Sequence, residues 1–69
     1  MSQKELLYVE DAVGHERIIQ ASIEEIVNQL DDENLVDYMK EELKTHQKME
    51  EELMNLLEDV KNEWSNVIR

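Results

Sequence analysis

The sequence predicts an all-α protein, an antiparallel hairpin of two long helices that assembles into a four-helix bundle. The composition favours helices, since there is no proline, only one glycine and an abundance of Leu, Glu, Lys and Met. Apolar residues recur with helical spacing along two segments of the chain. Between these segments the apolar pattern changes phase, at the acidic tetrapeptide DDEN of residues 31–34. We therefore treat residues 1–69 as a single helical-hairpin domain.

The first helix is predicted over about residues 3–30. Ser2 and Glu5 have the S-x-x-E spacing of a capping box, in which a hydroxyl and a carboxylate each satisfy a free backbone amide of the first turn. The apolar side chains that follow share one face of a helical wheel: Val9, Ala12, Ile19, Ile23, Ile26, Val27 and Leu30, flanked by Tyr8 and Val13. This amphipathic face predicts packing against another helix.

A turn at residues 31–33 separates the helices. If the first wheel continued, Leu35 and Met39 would lie more than about 90° from its apolar face, so one straight helix cannot hold both patterns. Aspartate and asparagine cap helix starts, and acidic groups suit the positive end of the helix dipole. The second helix is predicted over about residues 33–67, with its apolar face formed by Leu35, Met39, Leu53, Leu57, Val60 and Trp64. So short a connection folds the helices back antiparallel.

Polar side chains interrupt these apolar faces near their middle. Glu42 and His46 fall within the face of the second helix, and Glu16 lies centrally on the first. In an antiparallel hairpin that turns near residues 32–33, a residue of the first helix lies level with the residue of the second helix for which the two residue numbers add up to roughly 65. Four groups therefore converge, namely Glu16, Glu42, His46 and Glu50, with Gln20 at the edge. The favoured explanation is a buried polar layer that fixes the register of the helices, and the alternative is a site for a divalent metal.

Composition narrows the classes of function. A net charge of −11 disfavours nucleic acid and anionic membranes as partners. No apolar run approaches the roughly 18 residues of a membrane span and the first residues do not form a signal peptide, so we expect an intracellular, cytoplasmic protein. Cysteine is absent, which excludes disulfides and thiolate ligands. No serine lies in a nucleophile motif and no glycine-rich phosphate loop exists, so we expect no enzymatic activity.

The opening SQKELLYVEDAVGHE, the acidic turn DDENL and the later HQKMEEEL together carry a resemblance. The chain resembles the small helical proteins of spore-forming Firmicutes known as spore coat F-like, which are similar in turn to half of a ferritin-like bundle. The resemblance implies a helical hairpin, an association with the spore coat and no established catalysis. Ferritin-like metal sites carry Glu-x-x-His, whereas here Leu43 stands three residues before His46 and Glu42 stands four before it.

Three functions follow as hypotheses. The first is a non-enzymatic structural or interaction protein that self-associates through helical packing as a homodimer. The resemblance implies that this protein is associated with the spore coat. The others are a ferritin-like metal binder that uses Glu16, Glu42, His46 and Glu50, and an acidic helical module that binds a basic protein partner. A 69-residue chain can bury only a small core, and the apolar faces are broad. We place the expected oligomer interface at Leu57, Val60, Trp64, Val67 and Ile68.

Overall fold

The chain forms two antiparallel α-helices joined by a three-residue connection. A computed structural model describes the backbone of residues 1–68 and the side chains of residues 1–63. Helix α1 spans Gln3–Gln29 and helix α2 spans Glu33–Ile68. Over the described residues the molecule is all-helical and rod-shaped, about 56 Å long and 15 Å wide. The predicted two-helix architecture is confirmed, with helix ends within one residue of those expected.

Side-chain caps fix where each helix begins. The Ser2 hydroxyl accepts a hydrogen bond from the Glu5 amide at 3.2 Å, and the Glu5 carboxylate accepts one from the Ser2 amide at 3.0 Å. The predicted capping box is thus present. The bond from the Ser2 backbone, followed by a bond from its side chain, lowers the pKa of Glu5 below its usual 4.5. At the start of α2, the Asp32 carboxylate accepts from the Leu35 amide at 3.0 Å and so caps that helix.

A regular seam joins the two helices. Its inward-facing positions follow alternating steps of three and four residues, which is the heptad spacing of a left-handed coiled coil. On α1 and its C-cap they are Leu6, Val9, Val13, Glu16, Gln20, Ile23, Val27 and Leu30, and on α2 they are Val36, Met39, Leu43, His46, Glu50, Leu53, Leu57 and Val60. Within residues 1–63 the only other side chains that are even half-buried are Ala12 and Glu42. The seam therefore accounts for nearly all the burial in the hairpin.

Several residues expected on the inner faces lie beside the seam instead, so this part of the prediction was wrong. Ile19, Ile26 and Leu35 are 37%, 45% and 52% exposed. The expectation came from a straight helical wheel of 3.6 residues per turn. A straight helix drifts by about 20° in every heptad relative to a 3.5-residue repeat, so the wheel spreads the seam over a wide arc and misplaces its centre.

The hairpin has a thin core. Five apolar side chains are buried, namely Leu6, Val13, Ile23, Leu57 and Val60, yet each retains 5–8% exposure. Among the side chains that the structure describes, none is completely enclosed. Two helices in contact along one seam can cover each other's inner residues from one side only.

Over residues 1–68, neither helix combines the length and the apolar character needed to cross a bilayer.

Candidate functional site

A polar layer occupies the middle of the seam. His46 Nδ1 lies 2.7 Å from Glu16 Oε2, across the two helices. Gln20 Nε2 donates to Glu50 Oε1 at 2.9 Å and to the backbone carbonyl of His46 at 3.3 Å. These four residues form a connected set in which the imidazole and the amide donate, and two carboxylates and the His46 backbone carbonyl accept. The register predicted from the sequence brings Glu16, His46 and Glu50 together as expected.

Burial makes the contact between Glu16 and His46 the centre of this layer. Glu16 is the one buried charged residue among residues 1–63, at 7% exposed. A buried carboxylate without a partner is costly, because it loses its hydration without compensation. The short hydrogen bond to His46 Nδ1 supplies that partner. Because a carboxylate can only accept, the tautomer that satisfies it carries its proton on Nδ1. Within the described residues no buried side-chain nitrogen or oxygen lacks a hydrogen bond.

Glu42 takes no part in these hydrogen bonds. Its position is just outside the seam, one residue before Leu43, and its side chain is half-buried. The sequence placed it in the layer because the straight wheel centred the inner face too close to it. Within residues 1–63 no group of three or more His, Asp or Glu side chains is placed to hold a metal ion. The geometry of Glu16, Gln20, His46 and Glu50 is that of a hydrogen-bonded layer.

Arg17 extends the layer to one side of the hairpin, which the sequence reasoning did not anticipate. Its Nε lies 3.5 Å from Glu50 Oε2, and one terminal nitrogen lies 4.0 Å from Met54 Sδ. The signal that could have found it is the register, since positions level with each other have numbers adding up to about 66, as Gln20 and His46 do. Arg17 is largely exposed, so this ion pair contributes little to stability.

The two sides of the seam differ sharply in chemistry. The side that carries Arg17 holds the residue following every second seam position. These residues are Glu10, Arg17 and Glu24 on α1, Asp31 in the connection, and Lys40, Gln47, Met54 and Lys61 on α2. Six of these eight are charged, so we call this the charged side. Because the helices are antiparallel, equivalent heptad positions of both helices fall on the same side, as the contact between Arg17 and Met54 shows.

The opposite side is an apolar stripe. It consists of Ala12, Ile19 and Ile26 on α1 and Leu35, Met49 and Leu56 on α2, with Glu42 as its one charged member; Glu5, the eighth equivalent position, lies beyond its end. The five large apolar side chains are 37–52% exposed. Tyr8 and Tyr38 lie at the outer edges of the stripe and are more than half exposed. Soluble monomers rarely expose so long a connected apolar surface, and such surfaces mark interaction sites.

The residues predicted at an oligomer interface divide into two groups. Leu57 and Val60 are buried within the single hairpin, in a cluster with Leu6 and Val13, so helix α1 of the same chain already covers them. The side chains of Trp64, Val67 and Ile68 lie outside the described residues. The surface that the described residues leave open is the apolar stripe.

Comparisons with protein-family models, with curated proteins and with solved structures find no match for the chain.

Proposed function

We propose that this protein is a non-enzymatic, self-associating helical hairpin, in which two copies pack through their apolar stripes to form a four-helix bundle. The observation that carries the proposal is the difference between the two sides of the seam. One side presents six charged residues of eight, and the other presents five large apolar side chains along a line. Helices that belong to a bundle have this pattern, with seam positions and one flanking position both apolar.

The exposed stripe continues the core of the hairpin. Each stripe residue stands immediately before a seam residue, as Ile26 before Val27 and Leu56 before Leu57. A second pair of helices laid along the stripe would therefore cover the seam from its open side as well. This explains why the buried side chains of the single hairpin all retain some exposure. A second copy of the chain has the same heptad spacing and the same stripe. Two copies can therefore pack stripe to stripe around a two-fold axis.

The area available suits a dimer of moderate affinity. Between Leu35 and Leu56 the stripe follows about 21 residues of α2, which is about 30 Å at a rise of 1.5 Å per residue. With the hairpin 15 Å wide, contact between two stripes would bury about 900 Å² in total, close to the lower limit of about 1,000 Å² for specific interfaces. Any further contact along the 56 Å length would add to this. We therefore expect association at micromolar concentrations or above.

The charge of the chain opposes association without preventing it. Each copy carries a net charge of −11. Most of these carboxylates lie on the outer faces or at the ends of the hairpin, where salt screens their repulsion over about 8–10 Å. Within the stripe, Glu42 is the only carboxylate. The dimer should accordingly become tighter as salt is added.

A matched pair of isoleucines tests the proposal. Ile26 is in the stripe and 45% exposed, whereas Ile18 is on the same helix, faces away from the stripe and is 67% exposed. Ile26→Gln should weaken dimerisation at least about tenfold, because two-fold symmetry removes two isoleucines from the interface at once. Ile18→Gln should leave the dissociation constant unchanged. Equal effects of the two substitutions on the mass measured by light scattering would contradict the proposal.

The location of this assembly is part of the proposal. The resemblance to spore coat F-like proteins supports a place in the spore coat, after synthesis in the cytoplasm. A fluorescent fusion in a sporulating host should form a ring around the developing spore. Uniform fluorescence of the mother cell throughout sporulation would contradict the coat location and would leave the self-association proposal to its own test.

A further inference from the structure

We infer that the two copies dock with opposite ends together, so that the turn of each hairpin lies beside the open end of the other. This inference rests on the proposed self-association and adds the orientation of the partner. Two hairpins that pack stripe to stripe around a two-fold axis have two options. Their turns lie at the same end if the axis runs along the hairpin, or at opposite ends if the axis runs across it.

The apolar stripe does not discriminate between these options. Leu56 marks one end of it, level with Glu10, and Leu35 marks the other, level with Asp31. The midpoint therefore lies near the level of Gln20 and His46, at the polar layer. Because either axis passes through this midpoint, both arrangements bury the same stripe. The charges at the two ends of the hairpin therefore determine which arrangement is more stable.

The turn end carries the densest negative charge in the molecule. Residues 23–43 contain eight carboxylates and a single lysine, Lys40. No lysine, arginine or histidine occurs anywhere between Arg17 and Lys40. Asp31, Asp32 and Glu33 are consecutive and exposed at the tip. In the same-end arrangement, two such tips would lie side by side with sixteen carboxylates against two lysines.

The open end is less negative and includes one cation, Lys4, close to the edge of the stripe. Residues 1–11 and 55–63 contain six carboxylates with Lys4 and Lys61. The Lys4 ammonium lies 5.9 Å from the centre of the Tyr8 ring, and Tyr8 forms an edge of the stripe. In the opposite-end arrangement, the tip of one copy lies at the same level as Lys4 of the second copy, close enough for attraction across the interface. Opposite-end docking thus replaces the strongest like-charge contact with a weaker one and adds attractive pairs.

Electron paramagnetic resonance can measure the orientation directly, because the chain has no cysteine and accepts a single spin label without interference. Asn34 is exposed at the tip and faces away from the stripe, which makes Asn34→Cys suitable for labelling. In the opposite-end dimer the two labels stand apart by about 23 residue levels, or about 35 Å. In the same-end dimer they lie at one level and are separated only by the width of the bundle, about 20 Å at the backbone.

A second label separates failure of the orientation from failure of the dimer. Gln47 lies near the level of the stripe's midpoint, on the outer, charged side, so Gln47→Cys should report only the width of the bundle in either arrangement, about 20 Å at the backbone. This bundle width at Gln47 together with a distance of about 35 Å or more at Asn34 supports the inference. The bundle width at both sites would overturn the orientation and retain the dimer. The absence of dipolar coupling at both sites would overturn the dimer and the orientation together.

Discussion

His46 Nδ1 and Glu16 Oε2 lie 2.7 Å apart at the centre of the seam, where Glu16 is almost fully buried. This contact joins the two helices in one specific register. A shift of either helix by one heptad would place His46 opposite an apolar residue and leave Glu16 without its partner. The layer therefore penalises other registers, which is the best-attested use of buried polar groups in coiled coils.

The pair predicts a marked asymmetry between single and double substitutions. His46→Leu removes the hydrogen-bond partner of a buried carboxylate and should lower the free energy of unfolding by about 1–3 kcal/mol or more. The double substitution Glu16→Leu with His46→Leu should restore or exceed the parent stability, since it leaves no unpaired charge. Thermal melts at one fixed protein concentration measure both. A His46→Leu protein as stable as its parent would show that the contact is not required.

The same layer predicts the response to metal ions. Glu16 is already bonded to His46 and Glu50 to Gln20, so a cation would have to displace both hydrogen bonds. We expect calorimetric titrations with Zn²⁺, Mn²⁺ or Fe²⁺ to give the same heats for the parent protein and for His46→Leu. A saturable heat that the parent gives and His46→Leu lacks would favour the metal-binding function instead.

Glu42 provides a way to strengthen the interface. It is the one charged residue in the apolar stripe and is half-buried even in the single hairpin. Glu42→Leu should tighten dimerisation by about tenfold or more, because it removes two carboxylates from the contact surface and adds two apolar side chains.

The matched control for this substitution is Glu51→Leu. Glu51 is exposed on α2, outside the stripe, and its replacement changes the net charge by the same amount. If Glu51→Leu tightened the dimer as much as Glu42→Leu, the gain would come from reduced overall repulsion and the stripe would lose its special role.

The capping box predicts a local dependence on pH. Hydrogen bonds from Ser2 lower the pKa of Glu5 below 4.5, so the ionised carboxylate is favoured in the folded helix. A depressed pKa contributes stability that is present above the unfolded value and is lost as pH falls through the folded value. An NMR titration should find the Glu5 pKa below 4.5 in the parent protein and closer to 4.5 in Ser2→Ala. Because the backbone amide of residue 2 keeps its hydrogen bond in Ser2→Ala, only part of the shift should be lost, and a parent Glu5 pKa at or above 4.5 would contradict this account of the cap.

The sequence alone was sufficient to predict the two helices and the residues at which they begin and end. Ser2 and Glu5 show the first start directly, and the phase change before Leu35 requires a break near the acidic turn. It was also sufficient for the register, because a short turn allows little choice of which residues lie level. The contact between Glu16 and His46 followed from that register.

The sequence was less informative about the faces of the helices. A straight wheel placed Ile19, Leu35 and Glu42 on the inner face, whereas the packed helices follow a 3.5-residue repeat that turns these residues to one side. The difference between the two periods is small over one turn and large over four heptads. The steps of three and four residues from Leu6 to Leu30 are the signal that identifies the seam. Once the seam is known, the stripe of Ile19, Ile26 and Leu35 becomes an exposed surface.

The central claim is that the stripe joins two copies of this chain. Sedimentation equilibrium of the parent protein, from micromolar to submillimolar concentration, tests it most directly. The account predicts a mass that rises with concentration toward two chains of 8.2 kDa each, and that rises further at a given concentration when salt is added. A constant mass of one 8.2 kDa chain across the whole range, with helicity unchanged, would contradict it.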